Sequence, residues 1–205
     1  MGAGFFANVG ETRREGGELT LSLTTGPVDW RVAYCYTRAT FASPYQFASD
    51  TNSSAVDTDG DGVRDTVFVK AGARMPGIPA HTLKLQGDWR VIRDLSAGAS
   101  VVCSSGTYAR GDENNQDANG MVPGYAVVEL EASYVFLKGL RLSVKIDNLF
   151  NARYSDFGIL GQNAFTGPGR AFGPSHGIET APEQFRAVGA PRGAWAILEY
   201  RLGGD

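Results

Sequence analysis

At 205 residues, 42% of them hydrophobic and 20% charged, the chain is too apolar to be disordered and long enough for one or two domains. A formal net charge of −3, with no basic cluster interleaved with aromatics, argues against a nucleic-acid partner, which needs surplus Lys and Arg to neutralise phosphates. The 27 Gly, 9 Pro and 11% aromatic residues favour many strands broken by turns over a helical bundle.

Met1 to Phe6 has neither a basic region nor a long apolar core, so it is no secretory signal, and the expectation is a piece of a longer precursor. Period-two alternation follows. Leu19, Leu21 and Leu23 alternate with Glu18, Thr20, Ser22 and Thr24. After the short link Gly26-Pro27-Val28, Trp30, Val32, Tyr34 and Tyr36 alternate with Arg31, Ala33, Cys35 and Thr37. A long polar link, about Ser43 to Ala80, leads to His81, Leu83, Leu85, Gly87, Trp89 and Val91, which alternate with Thr82, Lys84, Gln86, Asp88 and Arg90. A short link at Ile92-Arg93-Asp94 precedes a weaker strand, about Leu95 to Tyr108, rich in Gly, Ala and Ser. A second long link, Gly111 to Val122, ends at Ala126, Val128, Leu130, Ala132, Tyr134 and Phe136, set against Tyr125, Val127, Glu129, Glu131, Ser133 and Val135. Beyond Leu137-Lys138-Gly139, Leu140, Leu142, Val144 and Ile146 alternate with Arg141, Ser143, Lys145 and Asp147. The third long link, Ala152 to Pro191, leads to Ala194, Ala196, Leu198, Tyr200 and Leu202 against Trp195, Ile197, Glu199 and Arg201.

Alternation segregates the two faces of a strand but does not say what solvent meets the apolar one. A soluble sandwich buries it against a second sheet, whereas a membrane barrel turns it to lipid and lines a wet or plugged lumen with the polar face. The links favour the barrel. Short turns alternate strictly with long loops, as in outer-membrane barrels with periplasmic turns and extracellular loops, and two of the long links exceed the roughly 15 residues that compact soluble domains tolerate without structure. Aromatics toward the strand ends suit interfacial girdles, although aromatics favour strands anywhere. Seven strands leave two unpaired edges, so the segment needs further strands before it inserts.

Leu140 to Tyr154 contains Asn148-Leu149-Phe150-Asn151 and, three positions on, Tyr154. It resembles the "NLFN–x–x–Y" signature near the C-terminus of TonB-dependent receptors. Asn8 to Leu19 resembles that family's lead-in to an earlier strand, Pro76 to His81 a loop exit, Val122-Pro123-Gly124-Tyr125 the strand before the signature, and Pro191-Arg192 the approach to the last strand. Members usually finish on an aromatic residue, and here the last residue is Asp205. The resemblance implies an all-β, transmembrane antiparallel meander of about seven strands, the C-terminal part of a 22-stranded barrel in the outer membrane of a Gram-negative bacterium. It also implies a missing plug and N-terminal barrel, coupling to the TonB complex through that plug, and import of a scarce ligand, commonly a ferric siderophore. A passive porin or channel segment and a soluble calcium-binding β-domain are the alternatives.

Two loops hold candidate chemistry. Asp57, Asp59 and Asp61, with Asp65 as a substitute fourth ligand, match the start of a D-x-D-x-D-G calcium loop, but Phe68 stands where its bidentate Glu should fall. A structural Ca²⁺ is therefore the one cofactor the sequence suggests. In the last long link, Phe165, Arg170, Phe172, His176 and Arg186 suit a ligand with aromatic and anionic groups. Catalysis is not expected: His81 and His176 stand far apart in sequence, Glu129 and Glu131 sit among other charges, and GxSxG and HExxH are absent. Cys35 and Cys103 lie outside any zinc spacing and read as small strand residues.

Overall fold

A computed structural model of the chain describes residues 10–202. The stretch Met1 to Phe6, the Asn8-Val9 end of the first family-like segment and the final Gly203-Gly204-Asp205 lie outside the described residues.

The strands are β1 (Thr12–Thr25), β2 (Val28–Phe41), β3 (Tyr45–Ala48), β4 (Thr66–Val69), β5 (His81–Ile92), β6 (Leu95–Ser104), β7 (Tyr125–Leu137), β8 (Leu140–Asp147), β9 (Ser155–Asn163), β10 (Ala181–Val188) and β11 (Gly193–Tyr200). Seven of them form one antiparallel sheet in the order β1-β2-β5-β6-β7-β8-β11. Turns at Gly26-Pro27, Arg93-Asp94 and Lys138-Gly139 close its three hairpins at one end. Gly26 and Gly139, at φ 58° and 81°, supply the left-handed backbone that such tight turns need. At the other end stand the long loops L1 (42–80), L2 (105–124) and L3 (148–192).

Register settles which side chains share a face, because residues directly opposite one another in a pair point the same way. One row runs Leu21, Val32, Leu85, Val101, Val128. The next runs Leu23, Trp30, Gly87, Ala99, Leu130, Ile146, Ala194. The opposite face carries the row Asp29, Asp88, Gly98, Glu131, Lys145. Among the described residues no second layer covers the apolar rows: Leu23 is 62% and Leu198 64% exposed. This outcome separates the barrel from the sandwich, since a sandwich core would be buried. Trp30, Trp89, Tyr134 and Phe136 sit on the outward face toward the short turns. Tyr34, Tyr36 and His81 sit on it toward the loops, where Tyr34 Oη and His81 Nδ1 share a 2.8 Å hydrogen bond. These two belts have the placement of interfacial girdles.

The long links are not the structureless loops that the sequence suggests. L1 contains the β3–β4 hairpin and L3 the β9–β10 hairpin. The weak strand expected to reach Tyr108 leaves the sheet at Ser104, after which Thr107 bridges to Val122. A side chain at Gly106 or Gly124 would collide with backbone of the opposite segment, so the close approach of the two arms of L2 depends on both glycines. Cys35 and Cys103 are free thiols.

Candidate functional site

The fully buried side chains lie in the outer layer, not in the sheet. Val67, Val69 and Val122 pack there, with Ala109, Val122 and Leu160 as a cluster joining L2 to L3. L2 contains Gly111-Asp112-Glu113-Asn114-Asn115-Gln116-Asp117, a stretch whose short polar side chains bond their own backbone. Asp112 is wholly buried, and its Oδ1 accepts the amides of Gln116 (2.8 Å) and Asp117 (2.9 Å). Asp117 Oδ2 accepts both the amide and the hydroxyl of Ser53, each at 2.9 Å, and its Oδ1 accepts the amide of Asn119. Desolvation raises the Asp112 pKa above the ordinary carboxylate range, against the pull of the Asp117 and Gln116 amides. Glu113 is raised in the same way, chiefly by burial and against the Gly111 amide. Burial and then the nearby Glu113 charge push the Tyr45 hydroxyl far up. Asp117 goes the other way: despite desolvation, the Ser53 and Asn119 bonds hold it below the ordinary value. Sequence reading passed over this network, and its signal was the run of Asp and Asn itself.

The predicted ligand residues divide. Phe165 and Phe172 meet edge to face at the L3 tip, with ring centroids 6.2 Å apart and both rings largely exposed. Arg170, exposed and at φ 63°, shares that tip. Arg186 does not; it lies along β10, where its Nε donates to Gln184 Oε1 at 2.6 Å. His176 lies in a short 3₁₀ turn beyond Phe172, and its side chain is outside the described residues. Phe157, Ile159 and Phe185 add further exposed apolar surface along the hairpin, and Arg110 stands 5.9 Å above the Phe157 ring. The surface can stack on flat groups and attract anions at its tip.

In L1 the carboxylates of Asp57, Asp59 and Asp61 bring oxygens within 4.8 Å of one another. Asp65 lies outside that group; its Oδ1 accepts the Thr66 hydroxyl. The turn is closed by its own amides. Gly60 N donates to Asp57 Oδ1 at 2.7 Å and Gly62 N to Asp57 Oδ2 at 2.9 Å, and these two bonds lower the Asp57 pKa.

Asn148, Leu149, Phe150, Asn151 and Tyr154 form the root of L3. Asn148 and Asn151 take left-handed backbone at φ 48° and 51°, a region Asn tolerates better than most residues. Buried Asn148 donates from Nδ2 to the carbonyls of Ala152 and Ala190, both at 2.9 Å, and its Oδ1 accepts the Ala152 amide. Asn151 Oδ1 accepts the Arg192 amide at 3.1 Å, and Leu149 N donates to Val128 O. Tyr154 packs on Tyr125, centroids 4.6 Å apart, and a side chain at Gly189 would overlap its ring. Phe150 is 75% exposed. The segment thus fastens the outgoing and returning arms of L3 to the wall.

On the inner face, Lys145 Nζ sits 2.8 Å from Asp147 and 3.7 Å from Glu129, and Arg90 pairs with Asp29 at 3.4 Å. A concavity of about 380 Å³ lies here between Asp88, Glu131, Arg141 and Lys145. The charges are balanced and open, as on a wall facing water or another polar surface.

Residues 2–149 match the family model described as "TonB dependent receptor-like, beta-barrel". The chain is 28% identical over 151 residues to the probable TonB-dependent siderophore receptor PiuA of Acinetobacter baumannii, covering 73% of this chain and 18% of that protein. The crystal structure of PiuA superposes with a TM-score of 0.63 at 18% identity, over 92% of this chain and 22% of that one. The ferric yersiniabactin uptake receptor FyuA of Yersinia pestis gives 0.57 at 16% identity, over 91% and 23%. The copper transporter OprC gives 0.54 at 21% identity, over 92% and 24%. The chain therefore spans about a fifth of the length of these relatives.

Proposed function

The chain belongs to the TonB-dependent receptor-like β-barrel family, and from that premise we propose that it supplies the last part of the barrel wall and three outer loops of a receptor for energy-coupled uptake of a ferric siderophore. Its place is the outer membrane of a Gram-negative bacterium. The observation that carries the reading is the continuous, uncovered apolar face across seven paired strands, backed by a charged inner face and capped at one end by structured loops. Lipid satisfies the first surface, and a plug from the rest of the receptor the second. The remaining strands of a 22-stranded barrel close the free edges of β1 and β11. The TonB complex acts on the plug, and this segment catalyses nothing. Phe165, Arg170 and Phe172 at the L3 tip are the ligand contacts, with His176 and Arg186 as further members of that loop. Asp57, Asp59 and Asp61 form a weak Ca²⁺ site in L1, without Asp65.

The test is uptake of radioactive iron by cells carrying the full-length receptor, with ferric enterobactin, ferric citrate and ferric yersiniabactin as probes. One of these should accumulate in a TonB-dependent way. Accumulation that survives loss of TonB would make the protein a passive channel. Uptake of copper but of none of the three chelates would reassign the ligand.

A further inference from the structure

L1 and L3 hardly touch directly: one hydrogen bond, Gln162 Nε2 to Asp50 O at 3.2 Å, links them among the described residues. Each is bonded instead to L2. On the L1 side, Asn52 Nδ2 donates to Gly111 O at 2.7 Å, Ser53 is held by Asp117, and Arg74 N donates to Asn115 Oδ1 at 2.6 Å. On the L3 side, Leu160 N donates to Arg110 O at 2.7 Å, Arg110 N to Gly158 O at 2.9 Å, and Gln184 Nε2 to Gly120 O at 2.8 Å. Steric fit reinforces this seam, because a side chain at Gly158 would overlap Val122 and one at Gly111 would press on Leu160.

One carboxylate sets the 112–117 turn of L2. Asp112 Oδ1 gathers the amides of Gln116 and Asp117, which sets the turn that presents Asp117 to Ser53. Its other oxygen, Oδ2, is buried without a hydrogen-bond partner, and no basic side chain among the described residues pairs with it. One oxygen therefore holds the turn while the charge has no counterpart. An amide in its place keeps the acceptor and removes the charge.

We propose that Asp112 is a positioning residue that locks the three outer loops into one body, so that presentation of the L3 tip depends on a side chain remote from that tip. Order at the L3 tip, where the ligand is read to bind, is then shared with L1 through L2. The link to ligand capture rests on the reading of L3 as a ligand-contact loop; the link between the loops does not.

Hydrogen exchange of the full-length receptor in detergent tests this, with peptides in L1 (50–56), L3 (157–163) and the wall (125–137). In D112A, exchange should rise by about tenfold in both loop peptides and stay unchanged in the wall, because local opening is read segment by segment. D112N should stay within about threefold of wild type, since it retains the Oδ1 acceptor. N52A should loosen L1 alone and Q184A should loosen L3 alone, which keeps the test decisive if D112A fails to assemble. Loosening confined to L2 in D112A, equal damage from D112A and D112N, or loosening of both loops by N52A or Q184A would overturn the proposal. The affinity of D112A for whichever of the three ferric chelates the wild-type receptor binds separates the two readings. Loose loops with unchanged affinity would sink the ligand role of L3 and leave Asp112 as the lock.

Discussion

The barrel wall and the outer loop layer meet at the buried end of β2, Ala39–Phe41, and are otherwise stabilised by opposite means. The wall has regular strands and in-register pairs, and among the described residues its only buried apolar side chains are Ala39 and Phe41, where β2 meets L1; its outward Leu, Val and Trp side chains await a solvent supplied by the bilayer. The loop layer has little regular structure but contains the fully buried side chains, Asp112 among them, and holds its polar groups by internal hydrogen bonds except at Asp112 Oδ2 and Glu113 Oε2. The wall is thus specified by pattern and the loops by particular residues. A polar substitution in the wall is judged by which face it lands on. One in the loops is judged by which hydrogen bond it breaks.

The sharpest way to break that contrast is a charge in the middle of the outward face. Val101 sits in the central row beside Leu85 and Val128. Val101→Arg should cost about 2–4 kcal/mol of barrel stability, the depth-dependent cost at the bilayer midplane. Val102, one residue on and facing inward opposite Lys84 and Val127, should accept Arg at about 1 kcal/mol or less, the like charge of Lys84 included. Urea unfolding of the full-length receptor in lipid vesicles measures both. Equal costs at the two positions would mean that register does not set the lipid face.

In the loops, a single side chain should matter without regard to depth. Asn148→Ala removes the two Nδ2 bonds and the Oδ1 bond of a buried amide and puts Ala in left-handed backbone. The expected cost is about 1–3 kcal/mol, confined to the root of L3. It should appear as proteolysis between 152 and 190 on intact cells while the heat-resistant barrel band persists. Loss of the barrel itself would show that the two regions are not separable at this joint.

The contrast also tells how much was legible beforehand. Seven strands, three tight turns and both faces could be read from period two, because lipid and lumen impose that period directly on the side chains. The β3–β4 hairpin was missed because its strands, four residues each, are too short for a period to show, and the β9–β10 hairpin because its alternation is broken. In β9, Gly158 and Gly161 interrupt the pattern, and they are there for close packing on Val122 and Phe185. The candidate tip was only partly legible: Phe165, Arg170 and Phe172 share it, while Arg186 lies on the strand behind. Asp112 did not stand out within its run of Asp and Asn, because an acidic residue in a polar link looks solvated until the fold buries it.

Acidity separates the regions more gently. Asp112 and Glu113 have folded pKa values above their ordinary 3.8 and 4.5, so the closed loop layer binds more protons than the opened one. Their contribution is fully present below the ordinary values and is lost as pH rises through the raised ones. Asp117, shifted down, works in the opposite sense and loses its contribution as pH falls through its lowered value, below 3.8. Amide protection factors in 111–117, which divide out the intrinsic pH dependence of exchange, should therefore fall as pH rises above the ordinary carboxylate values and through the raised ones. D112N with E113Q should flatten the profile. A profile that rises with pH would reverse the assignment.

The smallest effect is expected where the loop layer is most exposed. Asp57, Asp59 and Asp61 cluster as hard-cation ligands do, yet Asp57 already takes the Gly60 and Gly62 amides, and the Asp59 and Asp61 carboxylates accept the amides of Asp61 and Val63. The turn is therefore closed by its own amides, and a cation gains only the remaining lone pairs and the attraction of three charges. Such a site should hold Ca²⁺ no more tightly than extracellular modules do, at roughly 10⁻⁴–10⁻³ M. Binding should stabilise L1 by a small amount set by mass action and leave the wall untouched. Terbium luminescence sensitised in the full-length receptor, displaced by Ca²⁺ and abolished by D59N with D61N, is the measurement. Asp57 is spared because its two amide bonds shape the turn. Submicromolar affinity would mean that further oxygens close in on the ion, and displacement unaffected by the double substitution would place the cation elsewhere.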